Sequence, residues 1–122
     1  TTGGSYLTMG INSGTDYYGA LNGQYGSMRT GINQNSINVY HMVVTWDGQV
    51  QRVYMNGVQE NQRPLTNISR SLTTLTSIGS TANDPAYRPF DGRVYALRVY
   101  DRALSSEEIE QNFNAQRTRF GL

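Results

Sequence analysis

The sequence of 122 residues contains no cysteine and no lysine, and its ten basic residues, all arginine, nearly balance nine acidic ones. Without cysteine there is no disulfide framework, no thiol nucleophile and no zinc–thiolate site. A domain that binds duplex nucleic acid carries a clear basic excess, which is missing, so we expect no nucleic-acid partner. No apolar run approaches the roughly 18 residues that a membrane-spanning helix needs, so we expect no membrane insertion.

Proline is scarce, with three residues, whereas tyrosine and glycine are frequent, with nine and thirteen. Aromatic and β-branched residues favour strands, and turn signals separate the short apolar stretches. The length permits one domain. The pattern predicts an all-β fold, a two-sheet antiparallel sandwich of the jelly-roll type with one short C-terminal helix. The predicted strands cover residues 5–12, 16–22, 25–32, 37–46, 51–55, 58–62, 72–79 and 93–100.

The pairing of the two central strands can be argued from their side chains. A four-residue loop after Trp46 places Val44 opposite Val53 and keeps apolar residues together on one face. A two-residue turn would instead place Val44 opposite Gln51. Because side chains on one face of a sheet share one environment, we predict the four-residue loop. The dipeptide Asn56-Gly57 then predicts a tight type I′ turn into the next strand.

A capped helix is predicted at about 105–116. Ser105 and Glu108 form the S-x-x-E pattern of a capping box, in which the serine hydroxyl accepts from the Glu108 amide and the glutamate carboxylate accepts from the Ser105 amide. Leu104 and Ile109 occupy the two staple positions around this box. The preceding strand is therefore expected to run into a short helix that packs against the end of the sheet.

Two blocks of the sequence stand out, FDGRVYALRVYDRALSSEEIEQNF at 90–113 and HMVVTWDG at 41–48 followed by VYMNGV at 53–58. They resemble parts of laminin-G-like jelly-roll domains of the concanavalin A-like lectin/glucanase superfamily. The first block is similar to the closing strand and helix of that family, and the second is similar to its central hairpin. The ending at 112–121 resembles versions of the domain found in phage and virus structural proteins. The resemblance implies one concanavalin A-like sandwich over residues 1–122.

The resemblance also implies that the sandwich lacks strands at its N-terminal side. Family members have further strands before the point at which this sequence begins, and its first residues, Thr-Thr-Gly-Gly, include no methionine. We therefore expect a piece of a longer protein. An incomplete sandwich has an open sheet edge, and such an edge needs to be covered by another polypeptide segment.

The sequence predicts a protein that is not an enzyme. His41 is the only histidine, and without a partner motif its expected role is structural, on a strand beside Asn56. Related glucanases use two carboxylates that strand alternation directs into one cleft, and no E-x-D or D-x-E pair occurs here. In the family pattern an acidic pair commonly follows the glycine of the closing strand, and Tyr95 and Ala96 occupy these positions here.

Calcium is the metal ion for which the sequence offers ligands. Folds of this family often hold Ca²⁺ with Asp, Asn and backbone carbonyl groups of rim loops, and Asn83, Asp84 and Asp91 flank one such loop. Asp before proline or glycine is also ordinary turn chemistry, and no EF-hand or other tight calcium motif is present. Calcium binding and plain turn formation are thus the two alternatives for these residues.

Several tyrosines offer a platform for a sugar. Pyranose rings stack on aromatic side chains, while amide and carboxylate groups bind the hydroxyls. The alternative is that tyrosines on strands pack in the core, as Tyr95 and Tyr100 are expected to do. Adjacent strand residues point to opposite faces, so one tyrosine of the pair at 17–18 must face outward. The candidate ligand-binding residues are Tyr17, Tyr18, Asn83 and Tyr87.

Two functional hypotheses follow. The first is a non-catalytic domain of a larger virion or extracellular structural protein, which acts in assembly or decoration and in attachment to host-surface glycans. Its partners would be other structural subunits of the assembly and glycans, and its location the virion surface or the extracellular space. The alternative is a stand-alone carbohydrate-binding, lectin-like module of a secreted or cell-surface protein. Asn67 begins an N-glycosylation sequon, which matters only on a eukaryotic secretory route.

Overall fold

The computed structural model describes residues 7–12, 16–21, 28–33, 39–66, 78–79 and 90–122. Within these residues the chain forms six strands, one α-helix and one 3₁₀ turn. They are β1 (Leu7–Asn12), β2 (Asp16–Leu21), β3 (Arg29–Asn33), β4 (Met42–Trp46), β5 (Val50–Met55), β6 (Val58–Pro64), α1 (Ser106–Arg117) and the 3₁₀ turn (Thr118–Phe120). The strands form two antiparallel three-stranded sheets, β1-β2-β3 and β4-β5-β6. The predicted fold class is confirmed.

The β4–β5 hairpin has the register that its side chains predict. Val44 lies opposite Val53. The side chain of Asp47 closes the loop, since its Oδ1 accepts hydrogen bonds from two backbone N–H groups of that loop at 2.9 and 2.7 Å. Asn56 and Gly57 have φ angles of 51° and 83°, as a type I′ turn requires.

One apolar core lies between the two sheets. It consists of Tyr18, Met28 and Val53, with Met42 and Val44 packed against them. Gly19 of β2 permits the close approach of the sheets at this point. A Cβ atom on Gly19 would overlap Cγ2 of Val44 and would lie only 3.2 Å from Cγ2 of Val53. The absence of a side chain at Gly19 therefore sets the local spacing of the sandwich.

A buried amide joins the two sheets inside this core. Gln51 of β5 is 0% exposed. Its Nε2 donates to the carbonyl oxygen of Gly19 at 2.9 Å, and its Oε1 accepts from the backbone N–H of Leu21 at 3.3 Å. Burial of an amide without partners is costly, so these two bonds explain how glutamine is accommodated on the apolar face of β5.

A second core lies between the outer face of the β4-β5-β6 sheet and α1. Val43 and Tyr54 are paired across β4 and β5, and both pack with Leu104 and Ile109. Leu104 and Ile109 are the two predicted staple residues, and both are buried. This cluster fixes α1 on the sheet, because Ile109 is the buried residue of the helix.

The predicted capping box at the start of α1 is confirmed. The Glu108 amide donates to the Ser105 hydroxyl at 3.2 Å, and the Ser105 amide donates to the Glu108 carboxylate at 2.9 Å. Both bonds satisfy N–H groups that have no partner inside the helix. The helix covers Ser106–Arg117, close to the predicted range 105–116.

The prediction of a packed strand at 93–100 is wrong. These residues form neither helix nor strand, and every one of them is exposed. Tyr95 and Tyr100, which were expected to pack in the core, are about half exposed. No backbone hydrogen bond joins residues 91–104 to another part of the chain that the structure describes. A strand forms only where a second strand pairs with its backbone, and β-favouring residues do not provide that partner.

The remaining strand predictions differ from the structure mainly at their ends. Residues 39–41 precede β4 without strand structure, and residues 78–79 form a bend. β6 continues to Pro64, two residues beyond its predicted end, because it lies at the edge of its sheet, where a missing N–H is tolerated. The other predicted strand residues, 5–6, 22, 25–27, 37–38 and 72–77, lie outside the described residues.

Candidate functional site

An exposed apolar stretch, here named the apolar segment (residues 90–101), is the most unusual surface of the described chain. Six large apolar side chains of this segment are at least 40% exposed, and Val99 is 78% exposed. Summed over the whole segment they expose on the order of 600 Å². Groups of exposed large apolar side chains mark interaction sites. The six are Phe90, Val94, Tyr95, Leu97, Val99 and Tyr100.

The apolar segment is attached to the body of the protein at a few points. The Phe90 amide donates to the carbonyl oxygen of Gly79 at 2.6 Å. The Tyr95 ring lies 5.3 Å from the Phe120 ring in the 3₁₀ turn. Beyond the segment, Leu104 enters the second core. The segment is therefore held at both ends while most of its apolar side chains face solvent.

A second candidate site is an open cavity of about 640 Å³ at the start of α1. The outer face of the β4-β5-β6 sheet forms one wall, and the residues that lead into α1 form the other. Each wall carries one ion pair. Arg52 and Asp47 lie 2.8 Å apart on the sheet side, and Arg102 donates two hydrogen bonds of 2.8 Å to Glu108 on the helix side. The polar lining includes Asp47, Arg52, Tyr54, Gln59, Arg102 and Glu108.

The ion pairs determine the charge state of this cavity. The Arg52 guanidinium and two backbone N–H groups hold the pKa of Asp47 well below its usual range. The Arg102 guanidinium and the Ser105 amide lower the pKa of Glu108 to about 2. Both carboxyl groups are therefore ionised at neutral pH and neither exchanges a proton there. The cavity offers guanidinium donors beside carboxylate acceptors, a combination that suits a ligand with several hydroxyl groups.

The two adjacent tyrosines of β2 have different environments. Tyr18 is 8% exposed and belongs to the core between the sheets. Tyr17 is half-buried on the opposite side, where its ring lies 5.0 Å from the ring of Tyr40. Burial, with a smaller effect of Tyr40, raises the pKa of Tyr17. Of the candidate platform, Asn83 and Tyr87 lie outside the described residues, so ligand binding by this set stays a prediction.

The candidate calcium ligands are placed only in part. Asp91 is exposed at the start of the apolar segment, and Asn83 and Asp84 lie outside the described residues. Among the residues that the structure describes, no three His, Cys, Asp or Glu side chains form a group that would hold a metal ion. Asp16 has its own partners, since it pairs with Arg29 and accepts from the Gly31 amide at 3.1 Å. Calcium binding at 83–91 stays a prediction.

His41 lies beside Asn56 as predicted, but it precedes β4 and is not part of a strand. The His41 amide donates to Oδ1 of Asn56 at 2.9 Å, and the Asn56 amide donates to the carbonyl oxygen of His41 at 2.8 Å. Its ring lies 6.0 Å from that of Phe113 in α1. Burial, together with the charge of Arg98, lowers the pKa of His41. The residue therefore joins the hairpin to the helix as a neutral side chain.

Sequence reasoning did not identify the cavity. Arg52 and Tyr54 come from β5, whereas Arg102 and Glu108 come from the residues around the start of α1. The capping box was the one available signal, since it placed Glu108 at the helix start. What brings these groups together is the packing of α1 on the sheet, which no local pattern encodes.

Two antiparallel sheets with a capped helix on one outer face define a small all-β sandwich module. Residues 1–110 match the model of a laminin-G-like family in the concanavalin A-like lectin/glucanases superfamily, and the chain belongs to this family. No curated protein sequence matches the chain significantly. In the described part of the chain, no helix has the length and apolar character needed to cross a membrane.

A crystal structure of an S-layer domain-containing protein (residues 221–444) from Clostridium thermocellum ATCC 27405 has a similar fold. The TM-score is 0.52 and the sequence identity 23%, and the match covers 92% of this chain. The chain spans 64% of the length of that structure. At this identity the similarity concerns the fold.

Proposed function

We propose that this chain is a non-catalytic surface domain of a larger virion or extracellular structural protein, and that it acts in assembly. The observation that carries the proposal is the apolar segment, which exposes on the order of 600 Å² of apolar side chain on one stretch. Isolated apolar residues on a surface are ordinary, whereas six exposed large apolar residues on one short segment are expected to be covered by another subunit.

Three further observations support this function. The chain belongs to a laminin-G-like family, and the protein with the similar fold is named as S-layer domain-containing, which favours a surface or extracellular location. The ending at 112–121 resembles phage and virus structural proteins, which favours a virion. The acidic groups of the cavity are ion-paired and ionised, so they offer no general acid for hydrolysis.

Photo-cross-linking in the native assembly tests the assembly function. A photoreactive amino acid replaces Val99 in the full-length protein, and the particle or surface layer that contains it is irradiated. We expect a cross-link to a neighbouring structural subunit, identified by mass spectrometry. The matched control carries the same group at Val58, an exposed valine of β6. Absence of any cross-link at Val99 in the intact assembly, or equal yields at both positions, would contradict an assembly role of the apolar segment.

The alternative function is that of a carbohydrate-binding module, and the cavity at the start of α1 is the observation that favours it. Its paired guanidinium and carboxylate groups can donate to and accept from sugar hydroxyls above the buried ring of Tyr54. The second proposed glycan site consists of Tyr17, Tyr18, Asn83 and Tyr87, and the proposed calcium site consists of Asn83, Asp84 and Asp91.

A glycan array, with calcium and again with chelator, separates these possibilities. Loss of a defined glycan signal in Arg52→Ala alone would assign binding to the cavity. Loss in Tyr87→Ala, and loss in Asp84→Ala or with chelator, would assign it to the proposed calcium loop. Absence of binding by folded protein would refute the carbohydrate function and leave assembly as the function.

A further inference from the structure

We propose that the apolar segment pairs with the same segment of a second copy of this chain, antiparallel and about a two-fold axis at Leu97. This inference rests on the proposed assembly function and names the partner. The starting observations are that the segment has strand-forming composition and that its backbone from residue 91 to residue 101 lacks partners among the described residues. An antiparallel arrangement with a copy of itself supplies partners for the backbone groups on one edge of the segment.

The charges at the two ends of the segment select this partner and register. With Leu97 facing Leu97 of the second copy, Arg93 faces Asp101 of the second copy, and the reverse pair forms at the other end. Arg93 and Asp101 are exposed. Neither takes part in the ion pairs of the described residues. Opposite charges directly across two strands stabilise their pairing and fix its register.

The apolar residues between these charges are also self-complementary. In the same register Tyr95 faces Val99 of the second copy, and the reverse pair lies beyond the axis. Aromatic–β-branched pairs of this kind are favourable across antiparallel strands. One face of the pairing would therefore carry five consecutive cross-strand contacts, with apolar contacts at the centre and charged contacts at the ends.

Pairing about a two-fold axis uses the same edge of the apolar segment in both copies, so the contact is closed at a dimer. A second copy of the chain thus satisfies the charges at the two ends and the backbone groups on the pairing edge together.

Sedimentation velocity over a range of protein concentrations tests the proposal. We expect the wild-type chain to form a discrete dimer. Leu97→Lys and Leu97→Glu each place two like charges side by side on the axis, and each should weaken dimerisation at least about 100-fold. An equimolar mixture of the two variants places Lys opposite Glu and should recover the dimer to within about 10-fold. The control Val58→Lys changes an exposed valine elsewhere and should leave the dimer unchanged.

A charge exchange checks the register independently. Arg93→Asp alone should weaken the dimer, and Arg93→Asp combined with Asp101→Arg should restore it, because the two pairs re-form with exchanged signs. Far-UV circular dichroism of each variant verifies that the fold is retained.

Several results would overturn the inference: a monomeric wild-type chain, an open-ended series of oligomers, a dimer insensitive to Leu97→Lys, or a mixture of the Lys and Glu variants that stays monomeric. A monomeric chain whose position 99 still cross-links to a different subunit in the native assembly would overturn this inference and leave the proposed assembly function standing.

Discussion

The substitution Gly19→Ala tests whether the two sheets approach as closely as the structure shows. Gly19 does not have a positive φ, so alanine is compatible with its backbone and the effect is steric. The new Cβ would overlap Cγ2 of Val44 and would lie 3.1 Å from Cε of Met42. Overpacking of one methyl group in a close-packed core typically costs about 1–3 kcal/mol, and we expect the stability of the variant to fall by this amount.

A second substitution identifies the clash as the cause. Val44→Ala removes Cγ2 and alone should cost about 1–2 kcal/mol, since Val44 is only partly buried. The double variant should lose less stability than the sum of the losses in the two single variants. We expect this difference to be at least about 1 kcal/mol. Urea denaturation followed by the fluorescence of Trp46, the single tryptophan, gives these values from the midpoints.

Gly31→Ala is the matched control. Gly31 has a φ of 71° and no atom within 4 Å of a Cβ position, so alanine there meets backbone strain and no clash. Its cost should be unaffected by Val44→Ala. A change in stability of less than about 0.5 kcal/mol for Gly19→Ala, the range of ordinary surface substitutions, would contradict the close approach of the two sheets. Additive costs of Gly19→Ala and Val44→Ala would contradict it as well.

Two further predictions concern polar groups. Gln51→Leu removes the side-chain partner of one buried and one partly buried backbone group of β2, so urea denaturation should show a loss of about 2–4 kcal/mol, and an unchanged midpoint would contradict the bridging role. The pKa of Glu108 is lowered to about 2 from an ordinary value of 4.5, so its stabilisation is present above pH 4.5 and is lost as the pH falls toward 2. The urea midpoint of Glu108→Gln should change less with pH than that of wild type as the pH falls from 4.5 toward 2. An equal change of the midpoint with pH in both proteins would contradict this stabilisation by ionised Glu108.

Local chemistry accounts for the elements that were predicted correctly. The register of β4 and β5 follows from the need to keep Val44 and Val53 in one environment, and the structure has that register. The start of α1 follows from Ser105 and Glu108, whose reciprocal hydrogen bonds involve residues only three positions apart. Such features depend on neighbours in the chain, so the sequence is sufficient to predict them.

The candidate sites were less accessible to sequence reasoning. The valine and tyrosine content of residues 93–100 predicted a packed strand, and this prediction was wrong, because packing requires a partner strand from elsewhere. For the pair Tyr17 and Tyr18, alternation established that one faces outward without indicating which. The core between the sheets contains Tyr18, and this follows from where the second sheet lies.

The all-β class, the central hairpin and the capped helix could be predicted from the sequence, because propensity, turn chemistry and capping act over a few residues. Three features became visible in the folded chain alone: Gln51 bridges the sheets, α1 and β5 line an open cavity, and the apolar segment stays uncovered on the described chain. Each of these depends on which distant surfaces meet, and contacts between distant parts of a chain are settled by the packing of the whole fold.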